Sequence, residues 1–206
     1  MNWAVWRHPK PRGATGLCIG RADVPVDRRK SKRLAHRIRR WARRRGVPQV
    51  VVTSPLRRAA DVGRWLSAWG WQHRIDVRLS ELDFGTWEGR PWRDIGQEPI
   101  DAWCADFERH APGGGEPVAD LLRRCAAVLG EPPACAVSHA GWISAALFLA
   151  AGHDDASAAR WPSAVRYGSV TVLLNPCSNR AASASSPAGS ACSIPTAHPG
   201  PCRPTS

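Results

Sequence analysis

The stretch QVVVTSPLRRAADVGRWLSAWG, residues 49–70, shows how the chain alternates between strand and helix. Its short β-branched run at 49–53 is typical of a buried parallel strand. Ser54 then suits the N-cap of a helix, and Pro55 suits the first helical position. Apolar residues follow at helical spacing, at Ala59, Val62, Leu66 and Trp69. The stretch therefore predicts one strand followed by one amphipathic helix.

The same alternation continues on both sides of this stretch. Strand-like runs occur at 2–6, 74–79, 134–138 and 169–174. Helical patterns are predicted over 28–45, about 99–109, 117–129 and the run ISAALFLAA that follows Gly141. Strands that alternate with helices favour a parallel sheet covered by helices. We therefore expect an α/β fold, a three-layer α/β/α sandwich with a largely parallel central sheet.

Length and composition predict one folded domain and a tail. The chain has 206 residues, of which 43% are hydrophobic, and this is enough for one core of ordinary size. Residues 176–206 contain 21 Ser, Pro, Ala or Gly and have no aromatic and no acidic residue. This composition predicts a folded domain at 1–175 and a disordered tail at 176–206.

Cysteine usage and hydropathy argue against several classes of protein. The seven cysteines contain no CxxC pair, so neither a disulfide framework nor a zinc ribbon is indicated. A zinc site in the tail would need ligands with no familiar spacing, Cys177, Cys192, His198 and Cys202. No long apolar run is present, and Arg7, His8 and Lys10 stand where a signal peptide needs apolar residues. We expect a cytoplasmic protein with no metal, no cofactor and no membrane contact.

The net charge of +12 is concentrated in one segment. Residues 28–45 hold 11 of the 29 lysines and arginines and no acidic residue, which leaves 18 basic residues against 17 acidic ones elsewhere. This pattern predicts a helix with a solvated cationic face. The alternatives are attraction of anionic substrates and RNA binding through this helix. We expect no dedicated nucleic-acid partner, and the sequence does not specify an oligomeric state.

Three of the predicted strands end next to arginine or histidine residues. Arg7 and His8 follow the first strand, Arg58 lies in the first helical turn after the second, and His139 follows a third. In an open α/β sheet, ligands collect beyond the carboxyl ends of the strands, so these residues should converge. Two arginines, two histidines and a helix N-terminus would form a pocket for one phosphate.

Each of these residues suits a step of phosphoryl transfer. A neutral histidine can attack phosphorus, and nearby guanidinium groups would keep His8 neutral. Arg7 and Arg58 can hold phosphate oxygens through their fixed donors, while His139 adds a further donor. The departing alkoxide needs a proton, which a carboxyl group beside the pocket can supply. This chemistry requires no metal ion.

Four motifs occur in order along the chain, Arg7-His8, SPLRRA at 54–59, LSELDFGTWEG at 79–89 and SHAG at 138–141. Together they resemble the histidine phosphatase superfamily, in its phosphoglycerate-mutase-like branch, over about residues 3–174. The resemblance implies a phosphomonoesterase that works through a phosphohistidine and binds a small phosphate ester. The second glutamate of the third motif, Glu88, is interpreted as structural, and the alternative is that it shares the role of the acid.

The resemblance also implies a role for each motif residue. His8 is the phosphorylated nucleophile, and Arg7 and Arg58 bind the phosphate. His139 is the second histidine and contacts the same phosphate. Glu81, the first glutamate of the third motif, is the proton donor.

A finer resemblance concerns the substrate. Pro9, Pro11 and the stretch GLCIGRADVP at 16–25 resemble one subgroup, the α-ribazole phosphatases of cobalamin synthesis. This implies hydrolysis of α-ribazole 5'-phosphate or of adenosylcobalamin 5'-phosphate. Arg21 and Asp23 are candidate substrate ligands, or else they shape the loop that contains them. The alternative function is a broad-specificity phosphatase for sugar phosphates or other small esters.

Overall fold

A five-stranded sheet forms the centre of the protein in the computed structural model, which describes residues 3–174. The strands are β1 (Trp3–Arg7), β2 (Val50–Thr53), β3 (Gln72–Ile75), β4 (Cys135–Ser138) and β5 (Val170–Leu173). Their order is β3-β2-β4-β1-β5, and β5 is antiparallel to β1 while the other pairs are parallel. The expected largely parallel sheet is confirmed.

Helices connect most of the strands. They are α1 (Arg28–Arg45), α2 (Arg57–Ser67), α3 (Gln97–Ala105), α4 (Val118–Gly130) and α5 (Ala140–Ala150). Short 3-10 turns occur between β3 and α4, at Val77–Leu79, Gly85–Trp87, Trp92–Asp94 and Pro112–Gly114. Within residues 3–174, no helix combines the length and the apolar character that crossing a membrane demands.

The sheet separates two hydrophobic cores. Because side chains alternate along a strand, Val5 and Trp6 of β1 point to opposite faces. Trp6 belongs to the core formed with the apolar stripes of α1 and α2. Val5 belongs to the core formed with residues of α4 and α5, including Trp142. Helices therefore cover both faces, and the expected three-layer α/β/α arrangement is confirmed.

Several predicted boundaries differ from the structure. The helix predicted at about 99–109 spans Gln97–Ala105, and the helix predicted after Gly141 begins at Ala140. The helix after β2 begins at Arg57 rather than at Pro55, because the Ser54 hydroxyl accepts a hydrogen bond from the backbone N–H of Leu56 and holds 54–56 outside the helix. The strand predicted at 74–79 ends at Ile75. The predicted tail at 176–206 and its candidate zinc ligands lie outside the described residues.

Strand register brings the functional motifs to one edge of the sheet. Arg7 pairs with Ser138 across β1 and β4, and the hydrogen bond from the His8 N–H to the Ser138 carbonyl continues this ladder at 3.0 Å. On the other side of β4, the Ser54 N–H donates to the carbonyl of Val137 at 3.2 Å. The carboxyl ends of β1, β4 and β2 are therefore neighbours, as the sequence predicts.

Candidate active site

A cavity of about 360 Å³ lies at this edge of the sheet. Its charged and titratable lining consists of Arg7, His8, Arg58, Glu81 and Tyr167. His139 is fully buried directly behind this lining, with its ring centroid 4.9 Å from that of His8. The structure therefore brings together the predicted catalytic and phosphate-binding residues in one place.

The hydrogen bonds of His8 leave one ring nitrogen available for attack. The side chain is only 4% exposed, and Nδ1 lies 2.8 Å from the carbonyl oxygen of Pro9. A carbonyl only accepts, so Nδ1 carries the proton and Nε2 keeps its lone pair. Burial and the charge of Arg58 hold the pKa of His8 well below its ordinary value, although the bond to Pro9 opposes this shift. His8 is therefore neutral at pH 7, with Nε2 as the nucleophilic atom.

The tautomer of His139 follows from its contact with Arg58. Arg58 Nε can only donate, and it lies 3.1 Å from His139 Nδ1. Nε2 therefore carries the proton and donates to the Ser54 hydroxyl at 2.7 Å. Burial, followed by the charge of Arg58, lowers the pKa of His139 well below its ordinary value. The ring is neutral, with its N–H at Nε2.

Arg58 is held in place by three hydrogen bonds. Besides the bond to His139, its terminal nitrogens donate to the backbone carbonyls of Ala22, at 2.7 Å, and Gly20. A guanidinium carries five N–H donors, so two remain for a phosphate. Burial lowers the pKa of Arg58, but an arginine side chain keeps its charge at neutral pH. Arg58 is therefore a positioned cation with two N–H donors available for a phosphate.

Arg7 is positioned by Tyr167. The guanidinium carbon lies 3.7 Å from the centroid of the Tyr167 ring, and one terminal nitrogen donates to the carbonyl of Val165. The Nε atom is buried, and none of residues 3–174 accepts a hydrogen bond from it. A buried charged donor without an acceptor is costly, so this atom is suited to an anionic ligand.

Glu81 accepts hydrogen bonds from the first turn of α5. Its side chain is 7% exposed, and its two oxygens accept from the N–H groups of Gly141 at 3.0 Å and of Leu82 and Trp142 at 3.1 Å each. A Cβ at position 141 would lie 2.5 Å from a Glu81 oxygen, which explains the glycine there. Arg124 fixes the backbone of Glu81 through a 3.0 Å bond to its carbonyl. The third and fourth motifs thus place one carboxyl group in the cavity wall.

Glu88 is the centre of a backbone network. Its carboxylate accepts from the N–H groups of Gly20, Arg21, Ala22 and Phe84, at 2.7 to 3.2 Å. A Cβ at position 20 would lie 2.4 Å from one of its oxygens. Unlike Glu81, Glu88 does not line the cavity, and this agrees with its structural interpretation.

The two candidate substrate ligands contact the protein instead. The guanidinium of Arg21 lies 3.2 Å from the carboxylate of Glu116. Asp23 accepts a 2.7 Å hydrogen bond from the backbone N–H of Arg57. Neither side chain lines the cavity. This geometry favours the second alternative, in which they shape the loop. Asp23 also occupies the backbone N–H of Arg57 at the start of α2, although the sequence predicts that this helix N-terminus binds the phosphate.

Comparison with known proteins identifies the family. A family model described as "Histidine phosphatase superfamily (branch 1)" matches residues 4–179. The chain belongs to the histidine phosphatase superfamily. No curated protein matches it.

Solved structures of phosphatases resemble this one over most of its length. The α-ribazole phosphatase from Shigella flexneri is 26% identical, with 85% of this chain and 96% of that chain covered and a TM-score of 0.68. A mycobacterial glucosyl-3-phosphoglycerate phosphatase, solved with VO3, is 25% identical, with 84% and 92% covered and a TM-score of 0.66. A protein described as mycobacterial hydrolase 1 is also 25% identical, with 83% and 89% covered and a TM-score of 0.66. Family and structural neighbours together show that the chain is a phosphatase.

Two contributors to the site of this phosphatase were missed by sequence reasoning. Ser54 appeared only as a helix cap, whereas its hydroxyl also accepts from His139. Tyr167 lies in the loop before β5, far in sequence from every motif. Its only signal is that it is the single tyrosine of the chain.

Cys18 is fully buried, and burial raises its pKa, so it is a thiol with no nucleophilic role.

The buried histidines of the phosphatase predict a loss of stability in mild acid. Their folded pKa values lie below the ordinary value of 6.5, so below pH 6.5 the unfolded chain binds protons that the folded protein does not. The free energy of unfolding should therefore fall as pH decreases from about 6.5, by up to about 1.4 kcal/mol per pH unit for each histidine. Urea unfolding at pH 7.5, 6.0 and 5.0 measures this slope.

Single substitutions identify the groups responsible for the slope. His139→Gln should remove about half of the loss that His8 and His139 cause together, while His73, whose pKa burial also lowers, keeps its own contribution. His36→Gln, which changes an exposed histidine of α1, should leave the slope intact. An unchanged slope in His139→Gln would contradict the assignment.

Proposed function

We propose that the protein is a phosphomonoesterase that works through a phosphohistidine on His8. We propose that it hydrolyses α-ribazole 5'-phosphate, or adenosylcobalamin 5'-phosphate, in cobalamin synthesis. The tautomer of His8 supports the first statement, because Nε2 is free to attack. The apolar character of the cavity supports the second. No metal or cofactor takes part in the proposed reaction.

In the first step, the substrate phosphate is held by the free donors of Arg7 and Arg58. His8 Nε2 attacks phosphorus, so the N–P bond forms as the ester P–O bond breaks. The two guanidinium groups stabilise the charge on the transferring group, and His139 holds one of them in place by accepting from Arg58 Nε. The departing alkoxide takes a proton from the carboxyl group of Glu81 and leaves as an alcohol.

In the second step, water replaces the alcohol. The Glu81 carboxylate takes a proton from water as the water oxygen attacks phosphorus. The N–P bond breaks, and the electron pair returns to His8 Nε2. Phosphate leaves, His8 is again neutral and Glu81 is again protonated, so the cycle closes with one ester and one water consumed.

The walls of the cavity carry the substrate proposal. Beyond the charged groups at its base, they are largely aromatic and aliphatic, and include Leu17, Phe84, Trp92, Trp103, Phe107 and Trp161. A sugar or a phosphoglycerate would leave its hydroxyl or carboxylate groups without partners against such walls. The substituted benzimidazole of α-ribazole is a flat apolar group that suits them. The likeness to an α-ribazole phosphatase at 26% identity supports the same choice.

A comparison of substrates tests this proposal. We expect kcat/KM for α-ribazole 5'-phosphate to exceed that for 3-phosphoglycerate and glycerol 3-phosphate by about 100-fold. Burial of roughly 120 Å² of the apolar base stabilises the bound substrate by about 3 kcal/mol, and this energy corresponds to a preference of about 100-fold. Steady-state assays of phosphate release measure the three values under identical conditions.

Matched tryptophan variants locate the source of this preference. Trp161→Ala should lower kcat/KM for α-ribazole 5'-phosphate about tenfold and change that for glycerol 3-phosphate less than about twofold. Trp41→Ala, which removes an indole from α1, should change neither. Equal kcat/KM values for all esters would instead favour the alternative, a broad-specificity sugar-phosphate phosphatase, to which the mycobacterial neighbour points.

A further inference from the structure

A second cavity, the α1–α2 groove, lies between the first two helices. Its volume is about 420 Å³. It is lined by Val26, Arg28, Ser31, Arg57, Asp61, Arg64, Trp65 and Ala68. None of these residues lines the active-site cavity. The proposed reaction leaves this groove without a role.

The groove has a net positive charge. Three guanidinium groups, those of Arg28, Arg57 and Arg64, line it beside one carboxylate, that of Asp61. The carboxylate is engaged by Arg64. Arg28 and Arg57 are exposed, and no carboxylate lies within salt-bridge distance of either in residues 3–174. Two cations are therefore available to an anion.

Two cationic side chains lie against Trp65, which forms the aromatic wall of the groove. The guanidinium of Arg28 lies 4.9 Å from the ring centroid of Trp65, and the ammonium of Lys32 lies 5.0 Å from the same ring. Cation–π contacts hold both long side chains at the rim of the groove. The cations are thus partly ordered before any ligand arrives, which lowers the entropy cost of binding.

A buried hydroxyl lies in the groove wall. Ser31 is 0% exposed, and its Oγ has no hydrogen-bond partner among residues 3–174. Serine in a helix ordinarily bonds to a preceding carbonyl, and a buried hydroxyl without a protein partner is uncommon. A ligand oxygen would supply the missing partner. This observation is independent of the surrounding charges.

We propose that the α1–α2 groove binds the phosphate group of a small anion at a site separate from the active site. The guanidinium groups of Arg28 and Arg57 donate to its oxygens, and the Ser31 hydroxyl donates to a third oxygen. Trp65 forms the wall beside it. Because Arg57 directly precedes Arg58 in α2, the second site adjoins the helical turn that carries an active-site cation.

Titration with inorganic phosphate tests the second site. The indole N–H signal of Trp65, assigned in an NMR spectrum with Trp65→Phe, should shift and saturate in the wild-type protein. Arg28→Ala and Arg57→Ala should each weaken this binding at least about tenfold, as expected for loss of a charge-assisted hydrogen bond. Inhibition of hydrolysis by phosphate reports the active site in the same samples, and Arg28→Ala should leave its inhibition constant unchanged.

Two further variants distinguish a specific phosphate site from general electrostatic attraction of phosphate by the charges of α1. Ser31→Ala should weaken phosphate binding roughly threefold or more without lowering the melting temperature, because it removes an unpaired buried hydroxyl. The double variant Arg33→Ala/Arg40→Ala removes two exposed charges from α1 outside the groove, and it should retain binding within about twofold.

Three results would overturn the proposal. The first is a Trp65 signal that does not move with phosphate up to about 50 mM. The second is equal weakening by Arg33→Ala/Arg40→Ala and by Arg28→Ala, since this would show attraction by the whole helix. The third is binding of a single-stranded oligonucleotide, dependent on Arg33 and Arg40, with no binding of phosphate itself. That outcome would assign the surface to a polyanion instead.

Discussion

His8→Ala is expected to abolish hydrolysis, with kcat/KM for α-ribazole 5'-phosphate lowered by about 10⁴-fold or more. The variant removes the atom that forms the covalent intermediate, and among residues 3–174 no other imidazole lines the cavity. His139 uses Nδ1 to accept from Arg58, so it cannot substitute. Steady-state assays with the wild-type protein and the variant, at matched melting temperature, measure the loss.

The same experiment distinguishes catalysis from the charge of α1. Arg33→Ala/Arg40→Ala should keep kcat/KM within about twofold at physiological salt, because exposed charges are screened. An active His8→Ala protein, or an inactive charge variant, would contradict the mechanism. The latter result would favour a function of the basic helix in RNA binding.

The tautomer of His8 predicts which nitrogen is phosphorylated. Since Nδ1 donates to the Pro9 carbonyl, the intermediate should carry its phosphorus on Nε2. Rapid quenching at alkaline pH followed by phosphorus NMR of the denatured protein identifies the isomer. A product phosphorylated on Nδ1 would be incompatible with this hydrogen bond.

Glu81→Ala is expected to slow hydrolysis by an amount that depends on the leaving group. For α-ribazole 5'-phosphate, whose alkoxide needs a proton, kcat should fall about 10²- to 10⁴-fold. For 4-nitrophenyl phosphate, whose leaving group is stable as an anion, the loss should stay below about tenfold. Parallel kinetics on the two esters measure the difference.

The controls for this prediction account for the second role of Glu81, which is to cap the first turn of α5. Because its oxygens accept from the first turn of α5, the alanine variant also loses a cap worth about 1 kcal/mol, which thermal unfolding would report. Glu81→Gln retains most of the side-chain volume and should show the same dependence on leaving group. Asp83→Asn changes a nearby carboxylate that does not line the cavity and should leave both rates unchanged. Equal losses of kcat on both esters in the Glu81 variants would show that another group donates the proton.

Much of the fold could be read from local patterns. The β-branched run before Ser54 and the apolar spacing after it specify a strand and a helix through interactions of neighbouring residues alone. The boundary error at Pro55 arose because the Ser54 hydroxyl has two hydrogen-bond partners, and one of them is His139, 85 residues away. A cap rule considers only the helix that follows the serine, so it could not include this contact.

The candidate site was predictable to the extent that its residues sit at strand ends. Arg7 ends β1, and His8 and His139 follow β1 and β4, whose carboxyl ends share one sheet edge, so their convergence follows from the fold class. The roles of Arg21 and Asp23 were not predictable in this way. Their partners, Glu116 and the N–H of Arg57, come from other segments, and only packing decides whether a loop side chain faces a cavity or the protein.

The sequence by itself determined the order of strands and helices, the family and the residues that meet at the sheet edge, because each depends on periodicity or on motifs within a few residues. Only the tertiary structure decided the proton positions on His8 and His139, the packing of Tyr167 on Arg7 and the aromatic lining of the cavity. These features depend on hydrogen bonds and contacts between residues distant in the chain, and such contacts exist only once the layers have packed together.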